Sequence, residues 1–138
     1  MVKLKPLMEK SKKTFNHIKI HTQYSICEGA IKIDDLGKFC KENRIKAIGM
    51  SDTSNLCGSL EFSEQISRSK TQPIIGSQIK FKFNEIIGSL PIIAKNSDGY
   101  KELINLSSKS FIILPNTDPS IFAIQSHSNS CRYLVSPI

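Results

Sequence analysis

Patterns typical of buried strands alternate with patterns typical of amphipathic helices along most of this chain, and this alternation limits the folds open to it. The segments Lys46–Met50, Pro73–Phe83 and Leu90–Ala94 have the length and apolar content of strands. Apolar residues at helical spacing predict helices from Asp34 or Asp35 to Asn43, from Gly58 to Ser69 and from Asp98 to Ser110. The alternation predicts an α/β fold with a mostly parallel sheet.

The two ends of this region are less regular. Phe15–Ile20 alternates polar and apolar residues, which predicts a first strand, and Phe111–Leu114 predicts a short last one. The sequence therefore divides into a basic N-terminal arm over residues 1–14, an α/β region over 15–114 and a weakly patterned C-terminal tail over 115–138.

The composition excludes several classes of protein. With 138 residues, 39% of them hydrophobic and 22% charged, the chain reads as a soluble globular domain with a modest core. It has no apolar run near the roughly 20 residues that span a bilayer, and its start lacks the apolar segment of a signal peptide. The four cysteines include no CxxC pair, so they predict small buried hydrophobic residues in a reducing compartment. We therefore expect a cytoplasmic protein without a membrane contact.

The net charge of +7 is concentrated at the start of the chain, where residues 1–13 hold five Lys and one Glu, a balance of +4. Such an arm can contact nucleic-acid phosphates. It is also typical of a solvated terminus, and this second interpretation is favoured because Arg is scarce and Phe15 is the single aromatic residue nearby.

Polar residues follow two of the predicted strands. Thr22–Gly29 follows the first and Ser51–Asn55 follows the second, and sites in α/β folds form at such strand ends. His17 and His21 lie four residues apart in the first strand and so share a face. They are either metal ligands or the hydrogen-bonded polar side of an ordinary strand.

Four segments, taken in order, resemble one known family: "FNHIKIHTQYSICEGAIKIDDLGKFCKEN", "AIGMSDTSNLCGSLEF", "QPIIGSQIKF" and "LPIIAKNSDGYKELINLSSKSF". They resemble the PHP domain (polymerase and histidinol phosphatase) at the N-terminus of bacterial DNA polymerase III alpha subunits. The likeness covers about Phe15–Phe111, and its last helix resembles the polymerase branch more than the phosphatases. It implies a partial, distorted (β/α)7 TIM-like barrel, of which this chain holds about the first half.

The resemblance also implies a set of site positions. Metal-binding members of the family hold two or three ions through an HxH strand, a loop carboxylate, a TDHG turn, a helix Glu and a Glu after PIIG. Carried over to this sequence, the vestigial metal-site positions are His17, Lys19, His21, Glu28, Asp52, Thr53, Glu61 and Gln78.

Three of these positions depart from the pattern of the family. Lys19 places an ammonium where the first His of HxH offers a lone pair, Thr53 removes the nitrogen donor of the turn, and Gln78 removes a negative charge. A centre of several divalent ions needs anionic or imidazole ligands. We therefore expect no catalytic residue, metal or other cofactor, and a non-catalytic scaffold role.

Lys19 is predicted to take the place of the metal charge, near Glu28, Asp52 or Glu61 and either paired with one of them directly or bridged to it by water. The alternative function is a metal-dependent phosphoesterase, either a phosphatase or a 3′–5′ exonuclease that uses Zn, Mn or Mg. Its ligands would be His17, His21, Glu28, Asp52 and Glu61.

The resemblance further implies a parent that replicates DNA as a DNA-directed DNA polymerase (a nucleotidyltransferase), whereas this fragment alone is expected to be inactive. Its expected partners are the rest of that subunit and the replisome. We also expect self-association as a dimer, because half of a barrel leaves strand edges unpaired.

Overall fold

The computed structural model describes residues 15–83, 86–112 and 131–133 of the chain. These residues form three helices, α1 (Ile33–Asn43), α2 (Ser59–Arg68) and α3 (Ser97–Ile112). They also form four strands, β1 (Ala47–Thr53), β2 (Gln72–Phe83), β3 (Ile86–Ala94) and β4 (Cys131–Tyr133). Within the described ranges, no helix is both long and apolar enough to cross a membrane.

The four strands form one mixed sheet in the order β1-β2-β3-β4. β1 and β2 are parallel, with Thr53 opposite Gln78, whereas β2–β3 and β3–β4 are antiparallel. The prediction of a mostly parallel sheet is therefore wrong for these strands. Only two residues separate Phe83 from Ile86, and so short a connection permits an antiparallel hairpin but no crossover helix.

The predicted first strand is an extended segment that runs beside β1, and residues 15–21 are called the N-terminal segment below. Ile20 pairs in parallel with Met50. The Ile20 amide donates to the Gly49 carbonyl at 3.1 Å, and the Ser51 amide donates to the Ile20 carbonyl at 2.7 Å. The Gly49 amide also donates to the carbonyl of His17 at 2.7 Å. β1 is thus hydrogen-bonded along both of its edges.

The three helices pack on the same face of the sheet. Met50 of β1 and Ile75 of β2 belong to the core formed with α1 and α2. Ile79, four residues further along β2 and hence on the same face, packs in a second cluster with Ile92 and Leu103 of α3. The buried residues of the first cluster are Ile33, Leu36, Cys40, Ile48, Met50, Phe62 and Ile66.

The opposite face of the sheet, called the open face below, carries no helix among the described residues. Strand alternation assigns its side chains, because Ile20, Met50 and Ile79 point into the helix layer. Their neighbours on the open face include His17, Lys19, His21, Ser51, Thr53 and Gln78.

Three element boundaries differ from the predictions by two residues or more. β3 begins at Ile86 and not at Leu90, because its first four residues pair with the end of β2. β1 continues through Thr53, so Ser51 and Asp52 lie in a strand and not in a loop, because they pair with the extended chain of β2. α3 continues to Ile112, so the first half of the predicted strand Phe111–Leu114 is helical, and its last two residues lie outside the described ranges. The basic arm and most of the tail also lie outside them.

Candidate functional site

The candidate site surrounds the loop after the N-terminal segment, residues 22–29, which is called the rim loop. It lies where the N-terminal segment and β1 end. The Ser25 amide donates to the Thr22 carbonyl at 2.9 Å, and the Gly29 amide donates to the Ser25 carbonyl at 2.9 Å. A Cβ added to Gly29 would lie 2.1 Å from the carbonyl oxygen of Thr22. The loop can therefore close this tightly only with glycine at its end.

Asp52 ties β1 to the start of the rim loop. Its side chain is fully buried, and its two carboxylate oxygens accept hydrogen bonds from the Thr22 amide and the Thr22 hydroxyl, both at 2.6 Å. Asp52 has the parity of Met50 along β1 and therefore points away from the open face. Two short charge-assisted hydrogen bonds offset part of the cost of burying this carboxylate.

Thr53 joins the end of β1 to the far side of the rim loop. Its amide donates to the Ser25 hydroxyl oxygen at 2.8 Å, and its own hydroxyl donates to Oε2 of Glu28. The Glu28 side chain is 42% exposed. A hydroxyl donor thus meets the loop carboxylate at the position where the family pattern has a His.

His21 lies beside the same carboxylate. Its Nδ1 is 3.1 Å from the Ser25 hydroxyl and 3.7 Å from Oε2 of Glu28. In a Ser-His-acid triad the serine and the acid use opposite nitrogens of the ring. Here they face the same nitrogen, and Ser25 also accepts a bond from the Thr53 amide, so the arrangement is a structural hydrogen-bond network and not an activated nucleophile.

Tyr24 joins the rim loop to the start of α2. Its hydroxyl donates to Oε2 of Glu61 at 2.5 Å. This hydrogen bond, followed by burial, raises the pKa of Tyr24, because both disfavour the phenolate. A Cβ added to Gly58 would lie 2.5 Å from the ring, so glycine at this position lets the ring pack against the beginning of the helix.

The raised pKa of Tyr24 leads to a prediction for Glu61→Gln. We expect one tyrosine of this variant to ionise at lower pH than in the wild type, because the neighbouring carboxylate is lost. A pKa raised by folding stabilises the fold fully below the unfolded-state pKa of about 10, and that contribution is lost as the pH rises through the folded-state pKa. Ultraviolet absorbance titration of tyrosinate measures the change, with Glu64→Gln on the exposed side of α2 as the control. Superimposable curves for Glu61→Gln and the wild type would contradict the assignment.

The three acidic positions of the predicted site share one feature, namely that each carboxylate accepts a hydrogen bond from a nearby hydroxyl. The pairs are Thr22 with Asp52, Thr53 with Glu28, and Tyr24 with Glu61. The sequence interpretation missed the roles of Thr22, Tyr24 and Ser25. The available signal was the concentration of hydroxyl side chains in the rim loop, directly after the first predicted strand.

The predicted direct pairing of Lys19 with Glu28, Asp52 or Glu61 is wrong. Its side chain is exposed and forms no ion pair with any carboxylate in the described part of the chain. An exposed ammonium keeps its hydration, whereas pairing it with a carboxylate at the strand ends would cost desolvation and side-chain entropy. Hydroxyl groups adjacent to the carboxylates provide the hydrogen bonds instead.

The remaining predicted positions lie on the open face. His17 is exposed, and its ring packs edge-on against that of Phe15 with 4.7 Å between centroids. Oε1 of Gln78 and Oγ of Ser51 are buried and have no hydrogen-bond partner among the residues that the structure describes. The structure therefore brings His21, Glu28 and Thr53 into one cluster, places Asp52 and Glu61 in separate contacts, and leaves His17 and Lys19 exposed.

Comparison with known proteins identifies the class. The PHP domain family matches residues 17–133, which is most of the chain. The chain therefore belongs to the PHP domain family.

Its curated relatives include polymerase subunits. It is 33% identical over 105 residues to the DNA polymerase III subunit alpha of Haemophilus influenzae, with 73% of this chain and 9% of the relative covered. It is 37% identical over 118 residues to the subunit of the same name from Aquifex aeolicus, with 72% and 10% covered. The chain thus spans about a tenth of the length of these relatives.

A solved structure shares the fold. A Bifidobacterium adolescentis protein, described as a candidate metal-dependent phosphoesterase, superimposes with a TM-score of 0.52 at 15% identity. The match covers 65% of this chain and 32% of that protein. The likeness supports the PHP fold of the sheet and its helices.

The residues present do not fit the several metal ions that the family pattern implies. Within residues 15–83, 86–112 and 131–133, no group of three or more His, Cys, Asp and Glu side chains is close enough to hold an ion. The carboxylates of Glu28, Asp52 and Glu61 accept hydroxyl hydrogen bonds, and each belongs to a different contact.

Proposed function

We propose that this chain is the PHP module of a DNA polymerase III alpha-type subunit and acts there as a non-catalytic scaffold in DNA replication. The parent would be a cytoplasmic DNA-directed DNA polymerase, and the module would bind the rest of that subunit and the replisome. The sequence identity to polymerase subunits supports the assignment of the parent protein. The hydrogen bonds from hydroxyl groups to the three carboxylates are the observation that supports a non-catalytic role.

The placement of the helices fits a module that is one part of a larger barrel, whereas the antiparallel β2–β3 pair departs from the parallel strands of a regular TIM-like barrel. All described helices pack on one face, as they do on the outside of a TIM-like barrel, and the open face would be its interior. The solved relative of similar fold is about three times as long as the matched region, since the match covers 32% of it. We infer that the chain forms about the first half of a distorted (β/α)7 barrel.

The chemistry of the site argues against hydrolysis of a phosphoester by the chain. Such a reaction on this fold needs ligands that hold divalent cations and activate a water molecule. Thr53 presents a protonated hydroxyl, Gln78 presents a neutral amide, and Lys19 adds positive charge to the open face. Compared with the His and Glu of the family pattern, Thr53 and Gln78 are weaker donors without a negative charge, and the ammonium of Lys19 repels a cation.

A phosphatase and nuclease assay tests the proposal. We expect the chain, supplied with Zn, Mn or Mg, to hydrolyse neither an aryl phosphate nor the 3′ ends of single-stranded DNA faster than a His21→Ala variant. The matched pair is Glu28→Gln in the candidate site and Glu64→Gln on the far side of α2. Metal-dependent hydrolysis that survives Glu64→Gln and disappears in Glu28→Gln would establish the phosphoesterase function instead.

Two finer parts of the proposal are a dimer and a contact with nucleic acid. The open face and the outer edge of the N-terminal segment offer a surface for self-association, which is the proposed dimer. The Lys-rich arm is the proposed contact with nucleic acid, and it lies outside the described residues.

A further inference from the structure

Three parts of the fold converge on one carboxylate oxygen. Oε2 of Glu28 in the rim loop accepts a hydrogen bond from the hydroxyl of Thr53 at the end of β1. The same oxygen lies 3.7 Å from Nδ1 of His21 at the end of the N-terminal segment. The Ser25 hydroxyl bridges the other two groups, at 2.8 Å from the Thr53 amide and 3.1 Å from His21.

The cluster has the spacing of a metal site without its donor set. Two ligand atoms on one tetrahedral zinc ion lie about 3.3 Å apart, given bond lengths of about 2 Å. The imidazole and carboxylate of His21 and Glu28 are close to that separation. The third group is the Thr53 hydroxyl, which stays protonated at neutral pH and donates a hydrogen bond to the carboxylate. It therefore satisfies the anion that would otherwise attract a cation.

We propose that Thr53 makes this cluster a metal-free latch, by which we mean a hydrogen-bonded contact that holds the rim loop to the end of β1 without an ion. This one side chain decides whether the rim loop is held by a hydrogen bond or by a bound ion. The inference rests on the proposed non-catalytic function and gives it a specific residue. It implies that the loop is fixed to β1 whether or not divalent cations are present. It also implies that an imidazole at position 53 would complete a three-donor set with His21 and Glu28.

Thermal unfolding of the whole chain tests the latch. We expect Thr53→Val to lower the Tm by about 2 to 5 °C. The substitution removes the hydroxyl that donates to Glu28 and replaces it by a methyl group of similar size. Thr53→Ser is the matched control, since it keeps the hydroxyl and should unfold close to the wild type. Neither EDTA nor one equivalent of zinc should shift the Tm of these proteins.

Zinc binding tests whether the side chain at position 53 decides between a hydrogen bond and a bound ion. Thr53→His should bind about one equivalent of zinc in competition with a chromophoric chelator, whereas the wild type should bind less than a tenth as much. The double variant Thr53→His with Glu28→Gln should lose this binding, because it removes the carboxylate on which the donors converge. The probe is the metal ion alone, so the result does not depend on any activity.

Each result has a definite meaning. Equal unfolding of Thr53→Val and Thr53→Ser, or a lower Tm of the wild type in EDTA, would overturn the latch. A folded Thr53→His variant that does not bind zinc would overturn the role of Thr53 as the deciding residue. If that variant does not fold, the Tm difference between Thr53→Val and Thr53→Ser still tests the latch. Failure of the proposed function is a separate observation, namely metal-dependent hydrolysis by the wild type.

Discussion

Thr22→Val should lower the free energy of unfolding by about 2 to 4 kcal/mol. The substitution keeps the shape of the side chain but removes the hydroxyl that donates to the fully buried carboxylate of Asp52 at 2.6 Å. The hydrogen bond from the Thr22 backbone amide to the other carboxylate oxygen remains, so Asp52 keeps one of its two charge-assisted hydrogen bonds. Urea unfolding followed by circular dichroism measures the loss from the shift of the midpoint at constant slope.

The control for this prediction is Thr22→Ser, which retains the hydroxyl and loses only a methyl group. We expect it to cost less than half as much as Thr22→Val. A double-mutant cycle with Asp52→Asn then isolates the hydroxyl–carboxylate term from the rest of the truncation. Equal midpoints for the Val and Ser variants would show that the hydroxyl bond contributes nothing to stability.

Gly29→Ala should be destabilising by a similar amount, about 2 to 4 kcal/mol, for a steric reason. The new Cβ would lie 2.1 Å from the Thr22 carbonyl oxygen and 2.9 Å from the carbonyl carbon and oxygen of His21. These atoms belong to the backbone and cannot move by a side-chain rotation. The rim loop must therefore shift away from the sheet and lose the bond from the Gly29 amide to the Ser25 carbonyl.

Gly37→Ala is the matched control for that substitution. Gly37 lies within α1, and a Cβ there would meet its nearest neighbour, the Ser69 hydroxyl oxygen, at an ordinary 3.4 Å. Alanine favours a helix interior over glycine by about 1 kcal/mol, so this variant should be as stable as the wild type or more so. Equal stability of the two alanine variants in urea unfolding would mean that the rim loop opens at little cost.

The helices could be predicted closely from the sequence, whereas the strand arrangement could not. The spacing of Leu36 and Cys40, or of Phe62 and Ile66, marks a buried helical stripe that needs no tertiary information. The antiparallel pairing of β2 with β3 depends on a two-residue connection that lacks the Asn-Gly or Asp-Gly signal of a tight hairpin. The alternation of helices and strands therefore predicted too parallel a sheet.

The candidate site shows the same division between local and long-range information. The acidic positions could be identified from the resemblance to the family, but their hydroxyl partners depend on register. Thr22 meets Asp52 across 30 residues of sequence, and Tyr24 meets Glu61 across 37. Lys19 was assigned to these carboxylates on charge alone, but its side chain is exposed, where the ammonium keeps its hydration.

The pairing of the N-terminal segment with β1 also has a consequence for the order in which the chain folds as it is made. The segment leaves the ribosome before β1, and Ile20 completes its hydrogen bonds only once Gly49 and Ser51 have been made. At about 5 to 20 residues per second, a separation of 30 residues corresponds to a delay of roughly 2 to 6 s. The nascent rim loop therefore passes through a stage without its buried carboxylate anchor, and the N-terminal segment joins the sheet only after β1 has been synthesised.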